Sequence, residues 1–180
     1  MGQSTTTTTT AGAAGMKTAK SIWTRKIDLT YAVFFVVHVL VMLLVDLVPL
    51  YPESLRPAFL GQIRTFYIDT YQDKFFSNPP AWFFTYMIME AVYHMPLSVW
   101  VVGALVRDDP LVPVHLLIWA VQSFVTTVTC LAEAWGWPDR TVEQKWNITT
   151  LYGPYILLAA LMGLDMFCRL KKGLVKSKRD

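Results

Sequence analysis

Residues 27–50, IDLTYAVFFVVHVLVMLLVDLVPL, decide the fold. A helix needs about 20 mainly apolar residues to cross the ~30 Å hydrocarbon layer of a bilayer, and this run supplies them with only Asp28, His38 and Asp46 as ionisable interruptions. Three further runs of that length follow, at 80–106, 113–135 and 146–169. The connections at 107–112 and 136–145 are short and polar, so neighbouring helices should form antiparallel hairpins with every backbone donor and acceptor satisfied inside its own helix. The expected fold class is all-α, an integral membrane bundle of four transmembrane helices. Composition agrees: the 180-residue chain is 54% apolar and 16% charged, where soluble domains approach a quarter charged.

The flanks read differently. Residues 1–26, with Thr5 to Thr10 unbroken, are too poor in apolar side chains to offset the entropy of ordering and are expected to be a disordered cytosolic tail. They lack the apolar core of a cleaved leader, and Met1, Gly2 and Thr6 match a myristoylation pattern that we attribute to chance. The folded domain should span 27–170, with a basic cytosolic tail at 171–180. In the first long connection, Phe59, Ile63, Phe66, Tyr67 and Thr70 fall at helical spacing opposite Gln62, Asp69 and Asp73, which predicts an amphipathic helix on the membrane surface. Asn78-Pro79-Pro80 ends it.

Charge sets the orientation. Lys17, Lys20, Arg25 and Lys26 precede the first span, Arg107 lies in the second connection, and six Lys or Arg lie between Arg169 and Arg179. On the other face Arg56, Arg64, Lys74, Arg140 and Lys145 are offset by Glu53, Asp69, Asp73, Asp139 and Glu143. Positive charge stays on the cytosolic side, so both termini should be cytosolic. The net charge of only +3, confined to ends and loops, gives no nucleic-acid-binding surface. Trp23, Tyr51, Trp82, Trp135, Trp137 and Trp146 lie near span ends and read as interfacial anchors. The sequon at Asn147 abuts the fourth span too closely for glycosylation to be expected.

An ionisable group inside a span costs several kcal/mol unless it is paired, neutralised or faces a cavity, so each one marks a candidate site. Asp46 and Glu90 are the clearest. At 1.5 Å per residue they lie about 10 Å and about 5 Å to the lumenal side of their helix midpoints, so they can share a layer. His94 follows Glu90 by one turn, and Thr126, Tyr152 and Tyr155 fall at similar depth on the third and fourth spans. These residues predict a polar pocket in the lumenal half. Two carboxyl groups in a medium of low dielectric constant should share a proton or pair one carboxylate with one neutral acid, a combination that receives an amine or a hydroxyl. The competing structural reading has Asp46 and Glu90 bonded to each other to lock the bundle. A lone His38 is more often a packed core group than a ligand. Glu133 and Asp165 lie near helix ends within reach of water and are left out of the site. No metal is expected, because no HxxxH or EExxH arrangement is present, and Cys130 and Cys168, both in apolar runs, offer no disulfide framework.

The segment from Asp73 to Pro96, DKFFSNPPAWFFTYMIMEAVYHMP, together with His38, LLVDLVP around Asp46 and LYGPY at 151–155, resembles the EXPERA-domain family, and within it the sigma-2-receptor-like members and their fungal relatives. The resemblance runs from about residue 27 to 170. It implies four helices around a ligand cavity open towards lipid, and a homodimer in the endoplasmic reticulum membrane. It makes Asp46 and Glu90 the two pocket acids, Glu90 the protonated one, gives Asp73 a structural role, and puts Tyr155, Thr126, His38 and Tyr67 on the pocket wall. His94 departs from the glutamine of receptor-like members, and a charged imidazole there would pair with Glu90. The terminal Lys176-Ser177-Lys178-Arg179-Asp180 looks like a retrieval signal for the endoplasmic reticulum.

Two functions compete, with a scaffold as a third. The favoured reading is a non-enzymatic protein, free of cofactors, that binds a sterol or other hydrophobic small molecule drawn from membrane lipid, its head held by Asp46 and Glu90 and its body buried among apolar side chains. The resemblance adds roles in sterol and lipid handling or in the targeting of proteins to mitochondria. The alternative is a sterol double-bond isomerase using Asp46 and Glu90 as acid and base. Against it, isomerase-like members are longer and carry a histidine where this chain has Met42. A structural membrane scaffold would need the pocket to be collapsed.

Overall fold

The structure, a computed structural model, describes residues 21–178. The expectations for the Thr-rich run, for Gly2 and for the last two residues of the terminal signal lie outside these residues. Among the described residues every regular element is helical. Helix α1 is Lys26–Val41, continued by a π-helical turn at Met42–Asp46. Helices α2, Ala58–Tyr71, and α3, Lys74–Ser77, form the first connection. Helix α4, Ala81–Met89, passes through a second π-helical turn, Glu90–His94, into α5, Met95–Arg107. Helices α6, Val112–Gly136, and α7, Val142–Ser177, complete the chain.

Four stretches are long and apolar enough to cross a membrane: Lys26–Asp46, Ala81–Arg107, Val112–Gly136 and Val142–Ser177. The all-α four-span fold expected from the sequence is therefore present, with different ends. Span one stops at Asp46, because Val48–Leu50, containing Pro49, tightens into a 3-10 turn. Among the described residues upstream of 27, Ile22–Thr24 forms a 3-10 turn, and Arg25 bonds the carbonyl of Leu105 at 2.6 Å. At the other end α7 runs through the basic segment to Ser177.

Packing departs from sequence adjacency. Helices α6 and α7 form the closely packed hairpin expected from their short connection, begun by a capping box in which Thr141 and Gln144 satisfy each other's backbone N–H groups. Helix α5, by contrast, packs along α1 and meets α6 only sparingly. One apolar cluster, around Phe35, Val101, Leu105, Leu116, Trp119, Met162 and Met166, joins α1, α5, α6 and α7. A second, around Phe75, Phe76, Cys130, Ala134, Trp137 and Ile148, fastens the first connection to α6 and α7. Large apolar side chains such as Val36, Leu40, Val121, Leu157 and Leu164 stay exposed on the outside of the bundle, as a lipid-facing surface requires.

The aromatic anchors divide. Trp23, Trp135 and Trp146 are exposed. Trp137 is not an anchor: it is buried, with its ring 5.1 Å from Phe75, and Trp82 packs at 5.6 Å from the same Phe75. The folded-back α3 explains the difference, since it covers two indoles that local sequence would leave at the interface. Asn147 lies in the first turns of α7, where the Thr149 hydroxyl donates to Lys145 and accepts from Trp135.

Candidate intramembrane ligand cavity

Both π-helical turns carry an acid at a boundary: Asp46 ends the first and Glu90 begins the second. The cause is local. A proline has no N–H and its ring crowds the carbonyl four residues earlier, and Pro49 and Pro96 lie just beyond the two turns. Widening the preceding turn relieves the crowding and rotates the side chains that follow it; such turns are frequent at functional sites. Pro154, inside α7 between Tyr152 and Tyr155, removes a third ladder bond, at the carbonyl of Thr150.

These features surround a cavity of about 350 Å³. All eight residues expected to bind a ligand line it: His38, Asp46, Tyr67, Glu90, His94, Thr126, Tyr152 and Tyr155. Most of the remaining wall is apolar or aromatic, including Val41, Val45, Phe76, Phe83 and Met87. Glu90 lies within electrostatic reach of Asp46. Among the described residues the two acids make no hydrogen bond with each other and no ion pair with any cation. They do not lock the bundle as a mutually bonded pair.

Asp73, the third acid, has a different place. It is fully buried and caps α3, with Oδ1 accepting from the Phe75 N–H at 2.8 Å and Oδ2 accepting from the hydroxyls of Tyr67 at 3.0 Å and Tyr152 at 2.9 Å. Burial pushes its carboxyl above the ordinary range, and the three hydrogen bonds and the charge of Arg140 pull the other way. Burial and the Asp73 charge together push the Tyr67 phenol well above its usual range. Asp73 thus sits behind the cavity wall and holds two of its tyrosines.

The histidines are packed groups as well as lining residues. His38 is buried and stacks on Phe34 at 5.4 Å, with Trp119 at 5.6 Å and Tyr155 at 5.8 Å. His94 lies 5.6 Å from Trp119 and makes no ion pair with Glu90. Helical back-bonding occupies the Thr126 hydroxyl proton, which reaches Gln122 O at 3.1 Å. Sequence reading overlooked Tyr71, Tyr86, Ser123 and Cys130, which also line the chamber. Ser123 was within reach, because it precedes Thr126 by three residues on the same face of α6. Asp165 pairs with Arg169 at 2.8 Å near the far end of α7, and Glu133 is exposed, so neither joins the cavity.

The fold defines a multi-pass membrane protein, and its described residues enclose a cavity lined by two acids. Comparison with known families then gives its kinship: the chain belongs to the EXPERA (EXPanded EBP superfamily) family, whose profile matches residues 59–166. It is similar to efficient mitochondria targeting-associated protein 19 of Schizosaccharomyces pombe, 34% identical over 149 residues, or 81% of this chain and 77% of the relative. It is also similar to sigma intracellular receptor 2 of Homo sapiens, 21% identical over 154 residues covering 79% of this chain and 88% of the relative. The Xenopus tropicalis receptor of the same name is 23% identical over 155 residues, 81% and 91% of the two chains.

Proposed function

We propose that this protein binds a sterol or another lipid-like amphiphile in the chamber, with the polar head between Asp46 and Glu90 and the apolar body against the aromatic wall, and without chemical conversion. One observation carries the reading: two carboxyl groups face an apolar-walled cavity inside the spans, and among the described residues no protein donor engages either. Acids so placed are costly unless a guest or a shared proton satisfies them. The cavity falls within the usual size range of small-molecule sites.

The setting we propose is the endoplasmic reticulum membrane, with both termini cytosolic and two copies associated. Orientation is supported by charge. The end of α7 carries Arg169, Lys171, Lys172 and Lys176, whereas on the opposite face Asp139 pairs with both Lys74, at 2.9 Å, and Arg140, at 3.1 Å. The fungal relative's name supports a cellular role in mitochondrial targeting, and the receptor relatives' name supports recognition of a ligand.

The test is the lipid inventory that copurifies with wild type and with Glu90→Gln in gentle detergent, read by mass spectrometry. A species retained by wild type and lost from a folded Glu90→Gln supports the reading. An unchanged inventory overturns it. Migration of a ring double bond in a supplied sterol, catalysed by wild type and abolished by Glu90→Gln, would replace binding by isomerisation.

A further inference from the structure

A second cleft, of about 510 Å³, lies apart from the chamber, between the 3-10 turn after α1 and the start of α2. Val48, Pro49, Leu60 and Gly61 line it together with Arg56 and Arg64. Each guanidinium is held by backbone carbonyls. Arg56 donates from Nε to Tyr51 O at 2.8 Å and from Nη2 to Pro49 O at 3.0 Å, and Arg64 donates from Nη2 to Phe76 O. Carbonyls fix position but leave the charge uncompensated. Among the described residues no carboxylate forms an ion pair with either arginine, although Lys74 and Arg140 in the same connecting regions share Asp139. Burial, and then the neighbouring charge of Arg56, lower the Arg64 guanidinium from its ordinary value, so two like charges are held close enough to oppose each other.

Two fixed guanidinium forks with N–H groups to spare suit a tetrahedral oxyanion, which accepts several charge-assisted hydrogen bonds at once. The position is suited to a lipid. Leu55, Phe59 and Phe66 are exposed around the same connection, the pattern of a helix lying at the boundary of headgroups and acyl chains. We propose that Arg56 and Arg64 form a phosphate-binding site at the membrane surface, which takes the headgroup phosphate of a lipid or a free phosphate ester while the apolar cleft wall accepts the adjoining carbon chain. The site is separate in residues and chemistry from the acidic chamber.

The test uses the purified full chain in detergent and native mass spectrometry with dioleoyl phosphatidic acid, with dioleoylglycerol as the phosphate-free comparator. Each lost charge-assisted bond is worth about a factor of ten, so wild type should retain the phosphatidic acid at least about tenfold over dioleoylglycerol. Arg56→Gln/Arg64→Gln should abolish that preference, and Lys74→Gln/Lys145→Gln, which removes the same two charges elsewhere on that face, should preserve it. Should the double variant fail to fold, Arg56→Gln, whose side chain is exposed, carries the same readout through a partial loss. Glycerol phosphate separates the sources: displacement of the lipid by it supports a site filled from solution, and failure to displace supports the headgroup. Equal retention of phosphatidic acid by wild type and the folded arginine variants overturns the proposal.

Discussion

The hydroxyl of Tyr152 donates to Asp73 Oδ2 across 2.9 Å and so ties α7 to a residue 79 positions earlier in the chain. Tyr67 of α2 reaches the same oxygen at 3.0 Å. Both tyrosines line the chamber, so one buried carboxyl holds the first connection in place as part of the cavity wall. Removing one hydroxyl with Tyr152→Phe is expected to cost about 1 kcal/mol, a fall in Tm of about 2–4 °C. Asp73→Ala leaves two hydroxyls and the Phe75 N–H without an acceptor and should cost about 3 kcal/mol or more. Thermal unfolding in detergent reads both, and an unshifted Asp73→Ala would contradict the clamp.

The raised carboxyl of Asp73 gives a pH dependence with a definite sign. Because burial makes the folded state hold this proton more tightly than the unfolded chain does, its contribution is fully present below the ordinary aspartate range and is lost as pH rises through the folded value. Asp139 has the opposite sense: the hydrogen bond from Lys74 lowers its carboxyl, so its contribution is present above the ordinary range and fades as pH falls through the lowered value. Asp73→Asn should therefore flatten the fall in Tm above about pH 4, and Asp139→Asn should leave that limb unchanged. Identical Tm profiles above that pH for wild type and Asp73→Asn would sink the assignment.

At the opposite end of the bundle, Asp28 is buried between Arg25 Nη1 at 2.6 Å and Arg169 Nη1 at 2.7 Å, joining the first turn of α1 to α7. Arg169 is nearly one third exposed, so Arg169→Gln should cost only about 1 kcal/mol. Asp28→Ala removes the carboxylate shared by two guanidinium groups, each of which keeps one other acid, Asp108 or Asp165, and should cost about 2 kcal/mol. A double-mutant cycle on Asp28 and Arg169 should show coupling, because the two touch. Strict additivity would mean that the pair is ornamental.

The spans and the chamber were legible because both follow from one rule: lipid leaves no partner for polar groups, so apolar length marks the spans and stray acids mark the interior. What escaped reading depended on tertiary contact or local backbone chemistry. The pairing of Asp28 is hidden because nothing in its neighbourhood shows that Arg169 will return to it. Trp137, beside Gly136 and Pro138, has the local look of an interface anchor until Phe75 folds over it. The π-helical turns were hidden because a 3.6-residue period was assumed through Asp46 and Glu90, although the prolines after each gave a usable signal. The weak contact between α5 and α6 shows that a short loop fixes direction but does not choose packing partners.

If the chamber exists to hold a guest, filling it should remove binding and leave the bundle intact. Ser123 serves for this test: it is 6% exposed, lines the cavity from α6, and carries the smallest side chain on that stretch of wall. Ser123→Phe directs a ring into open space instead of into a packed core, so the usual overpacking cost of about 1–3 kcal/mol should be largely avoided. Retention of the copurifying amphiphile should fall by about tenfold or more, while Tm stays within about 3 °C of wild type. A scaffold would show the reverse, with lipid retention unchanged and Tm altered, because a bundle whose chamber has no occupant has nothing to lose but its packing. Comparing Ser123→Phe with Glu90→Gln also separates the two parts of the site: loss in both requires volume and acid together, and loss in Glu90→Gln alone would place the guest's body outside the chamber.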